Sequence, residues 1–281
     1  MNILGIDFED WFHPQLVQKY TSGMKKEPQV IKGIDKILDL LRVNDTCATF
    51  FVVGELLEYE PLLLDKIIGN GHEIGFHTMH HDRLDSKTKQ DFVKELTRFS
   101  EITKNHSKGF RAPTFSLNHN SGWAIDALAE HGYIYDSSVV PVKTALYGLP
   151  DAETRPYKIS SSSLEKHDDE AKLWEFPLAV GRFMGKKIPI AGGFYLRFLP
   201  TSVITKSINA YEKQDIPATF YIHSWEITPE HMPKIPMSFK DSFITYHNIE
   251  KSYSKLNLLL QNSVFTSFEN YLSKTKLNHM P

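Results

Sequence analysis

An α/β fold built on a parallel sheet is what this chain predicts, and three observations carry that prediction. Short β-branched and aromatic runs recur along it, segments with apolar residues on one helical face separate them, and residues suited to metal binding or proton transfer cluster where the runs stop. Ile3 to Phe8 reads as a short buried strand. Val30 to Val43 carries apolar residues at 34, 37, 38 and 41, one face of a helix, and Thr46 to Val53 is a second strand closed by Gly54. Pro61 to Ile68 reads as helix with Gly69-Asn70-Gly71 as its stop, Glu73 to Phe76 as a brief strand, and Asp91 to Ile102 as an amphipathic helix through Phe92, Leu96 and Phe99. Ser121 is placed to cap a helix running to about His131, followed by a strand at Tyr133 to Tyr135.

Thr154 to Ala171, polar and holding consecutive serines from Ser160 to Ser163, reads as a long loop before strand-like Leu173 to Val180. Thr201 opens another helix and Ala218 to His223 forms another strand. The stretch from Asp45 to Val53 echoes that from Asp215 to His223, as two equivalent strands of one barrel would. Trp225 to Asn248, rich in Pro, Met and aromatics, reads as a loop over the site, and Ile249 to Leu260 returns to helical periodicity. No domain boundary is convincing, so residues 1–281 read as one domain.

Composition narrows the function. Lys plus Arg total 32 against 34 for Asp plus Glu, with no long basic run, which speaks against a nucleic-acid partner and for an uncharged or small ligand. No apolar run approaches the roughly 20 residues of a membrane span, and the N-terminus lacks a charged leader with a cleavable apolar stretch, so a cytoplasmic location is expected. The lone Cys47 reads as a small core residue rather than a nucleophile.

Two blocks point to chemistry. The first strand ends in Asp7, Glu9 and Asp10, and Gly71 to His81 holds His72, His77, His80 and His81. Zinc-like cations accept neutral imidazole and carboxylate, and three protein ligands leave a position for water, the pattern of a catalytic centre. His77 and His81, four apart, share a face if that segment turns helically. His72 with His77 and His77 with His80 are pairs that spacing alone also allows. Arg111 and His223 join these blocks because function gathers at the carboxyl ends of parallel strands.

At this point the chain resembles the polysaccharide deacetylases, carbohydrate esterase family 4, whose members remove N-acetyl or O-acetyl groups from glycans. Four blocks carry the likeness in order: Gly5 to Trp11; Gly71 to His81, which fits the family's His-Ser/Thr-x-x-His; Phe110-Arg111-Ala112-Pro113, like Arg-x-Pro; and Tyr221-Ile222-His223, like Leu-x-His. The resemblance implies a distorted (β/α) barrel of about seven strands and a divalent metal, zinc foremost with cobalt or nickel able to share the ligands. It selects His77 and His81 as ligands, with a third from Asp10, slightly preferred, or Glu9.

It further implies Asp7 as general base, Arg111 as its partner, the backbone N–H of Thr114 in the oxyanion site and His223 as general acid. The chain departs from the pattern in its separated acids, in Thr114 and Phe115 after Arg-x-Pro, and in Tyr221 for leucine; no Asp-Trp block is evident, which leaves the carboxylate partner of His223 open. Tyr135 to Ser138 and His223 to Glu226 are similar to a subgroup associated with bacterial exopolysaccharide and surface-glycan synthesis, with an N-acetylated glycan or sugar precursor as partner. Two other readings compete: an amidohydrolase of a small nitrogen compound, and a glycan-binding pseudoenzyme in which Trp123, Trp174 and Trp225 stack on sugars.

Overall fold

Strand alternation divides the sheet residues into two sets, and that division builds the site. The computed structural model describes residues 1–275. Strands β1 (Asn2–Phe8), β2 (Thr49–Val52), β3 (Glu73–Phe76), β4 (Gly109–Phe110) and β5 (Tyr135–Asp136) pair in parallel and in chain order. After β6 (Tyr157–Ile159) come β7 (Leu173–Glu175), parallel to β5, and the antiparallel hairpin of β8 (Val180–Phe183) and β9 (Lys186–Pro189). β10 (Thr219–His223) lies parallel to β1 on its other side, and the short β11 (Phe265–Thr266) also joins β1. Among the described residues seven strands thus run parallel from β10 to β7, and a bridge from Leu178 to Thr219 brings the ends of the curled sheet together. This is the distorted (β/α) barrel that the resemblance implied.

Even-numbered residues such as Leu4, Ile6, Phe50, Ile74, Phe110 and Phe220 face the surrounding helices and form the main core. Odd-numbered positions of β1 to β5 and β10 turn into the barrel, as does Trp174 of β7, which pairs with Tyr135. A Cβ on Gly5 would meet the Arg111 guanidinium at 2.6 Å, and one on Gly109 would meet the Tyr135 ring at 1.9 Å, so glycine makes room there for large side chains of other strands. Phe268 closes the lower end, stacked on Tyr135 at 4.8 Å.

Most elements fall where the sequence places them. Helices occupy Ile34–Val43, Leu62–Gly69, Lys89–Ile102, Trp123–Glu130, Thr201–Glu212 and Ser252–Asn262. Thr88 caps the third of these by accepting from the Asp91 backbone. Ser121 does not cap the fourth, whose N-cap is Gly122; its hydroxyl accepts instead from the Asn118 backbone. The loop expected over Thr154 to Ala171 contains β6, held antiparallel on β7, a tertiary pairing with no period-2 signal in so short a stretch. The segment from Trp225 to Asn248 is partly helical, at Ser224–Ile227 and Phe239–Tyr246, yet Ile244 and Thr245 from it do line the site. Cys47 is only half-buried, just ahead of β2.

The strand echo has a structural basis. β2 and β10 are the two long neighbours of β1, Thr49 pairing with Gly5 and Thr219 with Ile3. Asp45 and Asp215, which open the echoing stretches, both hold positive φ, 48° and 55°.

At the lower end Glu73 is buried and accepts from the Thr49 hydroxyl at 2.5 Å, the Tyr135 hydroxyl at 2.6 Å and the Glu269 backbone at 3.0 Å. Burial outweighs these bonds and pushes its carboxyl up to about 7. Because the unfolded chain releases this proton near the ordinary carboxylate value and the folded chain near 7, stability contributed here falls as pH rises between those values, by about 3 kcal/mol in all. Urea midpoints should therefore decline from pH 5 to about 7, and Glu73→Gln should flatten that decline; an unchanged slope in the variant would contradict the assignment.

Candidate active site and metal centre

The upper rim collects the odd-numbered residues that follow or end adjacent strands. Asp7, next to last in β1, lies opposite His223 of β10, His77 follows β3 and Arg111 follows β4. All four were expected at one mouth, and the structure brings them together: Asp7, His77 and His223 line a cavity of about 140 Å³ with Thr114 and Tyr221, and Arg111 lies behind it, bonded to Asp7.

Arg111 is fully buried and each arm of its guanidinium is used. It donates to Asp7 Oδ1 at 2.7 Å, to the Ser137 carbonyl at 2.9 Å and to the Ser137 hydroxyl at 2.8 Å, while its cationic carbon lies 4.1 Å from the Phe51 ring centre. Asp7 is thus clamped from below. Thr114 and Phe115 carry consecutive positive φ values of 53° and 49°, a strained turn of the kind that concentrates at functional sites.

Glu9, His77 and His81 form a buried group whose ligand atoms all lie within 4.8 Å of one another. His81 Nε2 stands 2.5 Å from Glu9 Oε2, yet that oxygen has no hydrogen bond among the described residues. His77 Nδ1 meets the Arg111 carbonyl at 2.7 Å; with its proton there, Nε2 is left with a free lone pair. Burial lowers the His77 imidazole to about 4, so it is neutral at physiological pH. Burial would raise the Glu9 carboxyl, but His81, His223 and His77 together hold it well below the usual carboxylate range. A buried carboxylate oxygen and imidazole nitrogens converging without hydrogen bonds fit a divalent cation, and three such donors leave room for water.

Two expectations are corrected by this geometry. Residues 77 to 81 do not turn helically; Thr78 and His81 adopt positive φ, both 58°, and this loop rather than an i, i+4 helix face sets the rings 5.0 Å apart. The slight preference for Asp10 over Glu9 also fails. Asp10 points away from the imidazoles, accepting the Trp11, Gln29 and Val30 backbone N–H groups at 2.8, 2.5 and 2.8 Å. It is a structural anchor for the chain entering Val30–Gly33. Asp10→Ala should leave those N–H groups unsatisfied and lower stability by about 2–3 kcal/mol, read as a fall in melting temperature, with metal content retained.

The carboxylate behind His223 is Glu226. Its Oε2 meets His223 Nδ1 at 2.7 Å, and its Oε1 accepts from Arg197 Nε at 2.7 Å. Burial would lower the His223 pKa, but Glu9 and Glu226 outweigh it and raise the imidazole to about 9. Trp225 stacks on the His223 ring at 4.9 Å and donates its indole N–H to Glu9 Oε1 at 2.9 Å, tying His223 to the group of Glu9, His77 and His81. Of these residues, Glu226 sits three positions from His223 and could be suspected from that spacing. Arg197, isolated in the helix Gly193–Phe198, carried no sequence signal.

Comparison with known proteins follows the same division. Residues 11–135 match the polysaccharide deacetylase family model and residues 137–273 match a domain of unknown function, DUF3473. The first segment holds His77, His81, Arg111 and Thr114; the second holds His223, Glu226 and Arg197; Asp7 and Glu9 precede both. A peptidoglycan deacetylase-like protein of Gibberella zeae is 32% identical over 134 residues, 46% of this chain and 38% of that protein. The peptidoglycan deacetylase of Helicobacter pylori is 27% identical over 187 residues, 64% of this chain and 59% of its own length. The chain therefore spans less than two thirds of the length of these curated relatives. A crystal structure from Mycobacterium smegmatis, assigned to the polysaccharide deacetylases, superposes with a TM-score of 0.59 at 17% identity, covering 100% of this chain and 92% of that one. Family match and barrel agree: residues 11–135, which hold His77, His81 and Arg111, carry a polysaccharide deacetylase domain, and the whole chain shares the barrel fold of such a protein.

Proposed function

We propose that this protein is a metal-dependent hydrolase that removes N-acetyl groups from a carbohydrate, with zinc as the metal and the two matched segments acting as one catalytic unit. The observation that carries the reading is the open donor set of Glu9, His77 and His81, flanked by a clamped carboxylate, Asp7, and a carboxylate-backed imidazole, His223.

A divalent ion held by Glu9, His77 and His81 would polarise the acetyl carbonyl and acidify a water molecule. Asp7 accepts that water's proton as its oxygen bonds to the carbonyl carbon, with Arg111 holding the carboxylate aimed. The backbone N–H of Thr114 faces the developing oxyanion, where one such donor is typically worth a few kcal/mol. His223 then gives a proton to the sugar nitrogen as the C–N bond breaks, releasing acetate and a free amine. Its raised pKa keeps it protonated at neutral pH, and the Glu226–Arg197 pair fixes the ring so that Nε2 faces the pocket.

The likeness to the peptidoglycan deacetylase of Helicobacter pylori supports an N-acetylated glycan or sugar precursor as substrate; a role in bacterial polysaccharide or surface-glycan biosynthesis is the matching setting. Among the described residues no helix is long and apolar enough to cross a membrane. The test is acetate release, by enzyme-coupled assay and mass spectrometry, from N-acetylated oligosaccharides before chelation, after chelation and after zinc is restored. Zinc-restored release supports the reading. A fully zinc-loaded protein that frees no acetate from any acetylated glycan would favour the binding-only alternative and overturn it.

A further inference from the structure

Two histidines beside the donor set, His13 and His80, have no part in the chemistry above, yet both are tied to one carboxylate. Glu55 Oε1 accepts from His13 Nε2 at 2.6 Å, and Glu55 Oε2 meets His80 Nδ1 at 3.0 Å. The tautomer of His13 follows from its other nitrogen. Nδ1 accepts the Asp10 backbone N–H at 2.8 Å, so the ring proton sits on Nε2 and points at Glu55. His13 is buried, and its ring lies on that of His81 with centres 5.8 Å and planes 25° apart.

The sheet order explains why Glu55 reaches both sides. β2 lies between β1 and β3, so the turn that leaves it is flanked by the loop carrying Glu9 and the loop carrying His77 and His81. The Glu55 backbone N–H donates to the Met79 carbonyl at 2.9 Å, and that of Gly54 donates to the Thr78 carbonyl at 3.0 Å. A Cβ on Gly54 would meet the Met79 sulfur at 2.3 Å, so glycine lets the two turns come this close. Glu55 thus joins the two donor-bearing loops through side chain and backbone together.

The two ligand imidazoles are held differently. A ligating histidine is ordinarily oriented by a hydrogen bond from its other ring nitrogen, as His77 Nδ1 is by the Arg111 carbonyl. His81 Nδ1 is buried without a hydrogen-bond partner among the described residues, and His81 sits at φ 58°, a conformation that persists only where the surroundings impose it. Besides His77, the aromatic ring against it is His13. We propose that His13, locked by Glu55, is the positioning residue of His81, its stacked ring taking the place of the hydrogen bond that His81 Nδ1 lacks. This rests on the donor set of the deacetylase reading and adds to it residues outside that set.

The test is zinc affinity of the full-length apo protein, measured by competition with a chromophoric chelator, with the visible spectrum of the cobalt-loaded protein as second readout and the apo melting temperature as control. Glu55→Ala and His13→Ala should each weaken zinc binding by about 10–100-fold, the range for loss of an outer-shell partner, and should alter the cobalt bands. The double variant should bind no worse than the poorer single one, because both substitutions act on one ring. Glu55→Gln, whose carbonyl still accepts from His13 Nε2, should keep most of the affinity. Glu55→Ala that melts lower yet binds zinc as wild type does would make the residue merely structural and overturn the proposal, as would losses that multiply in the double variant. Wild type without zinc affinity would sink the donor set and the positioning role with it. Tight zinc binding and the expected losses, with no acetate from any acetylated glycan, would sink the deacetylase reading and leave the positioning role standing.

Discussion

Asp7→Asn is expected to lower kcat by two to four orders of magnitude, the span that loss of a positioned general base produces, while zinc content stays at wild-type level. The two readouts separate because Asp7 and the donor set are distinct in space. Asp7 is engaged by Arg111 at 2.7 Å, whereas Glu9, His77 and His81 form the converging group. Asparagine keeps an oxygen for Arg111 and nearly the same volume, so the barrel should still close. Its neutral carbonyl leaves the buried guanidinium without a counter-charge, and a cost of about 1–3 kcal/mol is expected in the melting curve. The comparison requires stopped assays at a pH where both proteins are folded, with elemental analysis of the same samples. Turnover within tenfold of wild type would remove Asp7 as the base.

The second large effect is on metal retention. His77→Ala and His81→Ala should each strip the metal after dialysis, and Glu9→Ala should do the same, since each removes one of three donors from a site with no fourth in reach among the described residues. Asp10→Ala supplies the contrast and should keep its metal, because its carboxylate is spent on three backbone N–H groups. Inductively coupled plasma measurements on the four variants decide the matter. Full metal in a His77→Ala/His81→Ala double variant would disprove the donor set, and metal loss in Asp10→Ala with retention in Glu9→Ala would restore the sequence preference.

That preference is instructive. Alternation along β1 places Asp7 and Glu9 on one side and sends Asp10 to the other, and this much was readable from the sequence. What favoured Asp10 was the freedom of a strand end. In the folded chain Asp10 is held by the entering turn at Gln29 and Val30, an interaction between residues some 20 positions apart.

Sequence by itself determined the α/β class, the strands β1, β2, β3 and β10, and the assembly of Asp7, His77, His81, Arg111 and His223 at one end of the sheet. It could do so because a period of two fixes which residues face inward, and parallel strands carry their carboxyl ends to one rim. Tertiary structure alone decided the placing of Glu9 beside the imidazoles, the loop geometry that pairs His77 with His81 and the Arg197–Glu226 support of His223. Each of these depends on where a side chain meets a partner distant along the chain or on a backbone in positive φ, and neither is encoded in local periodicity.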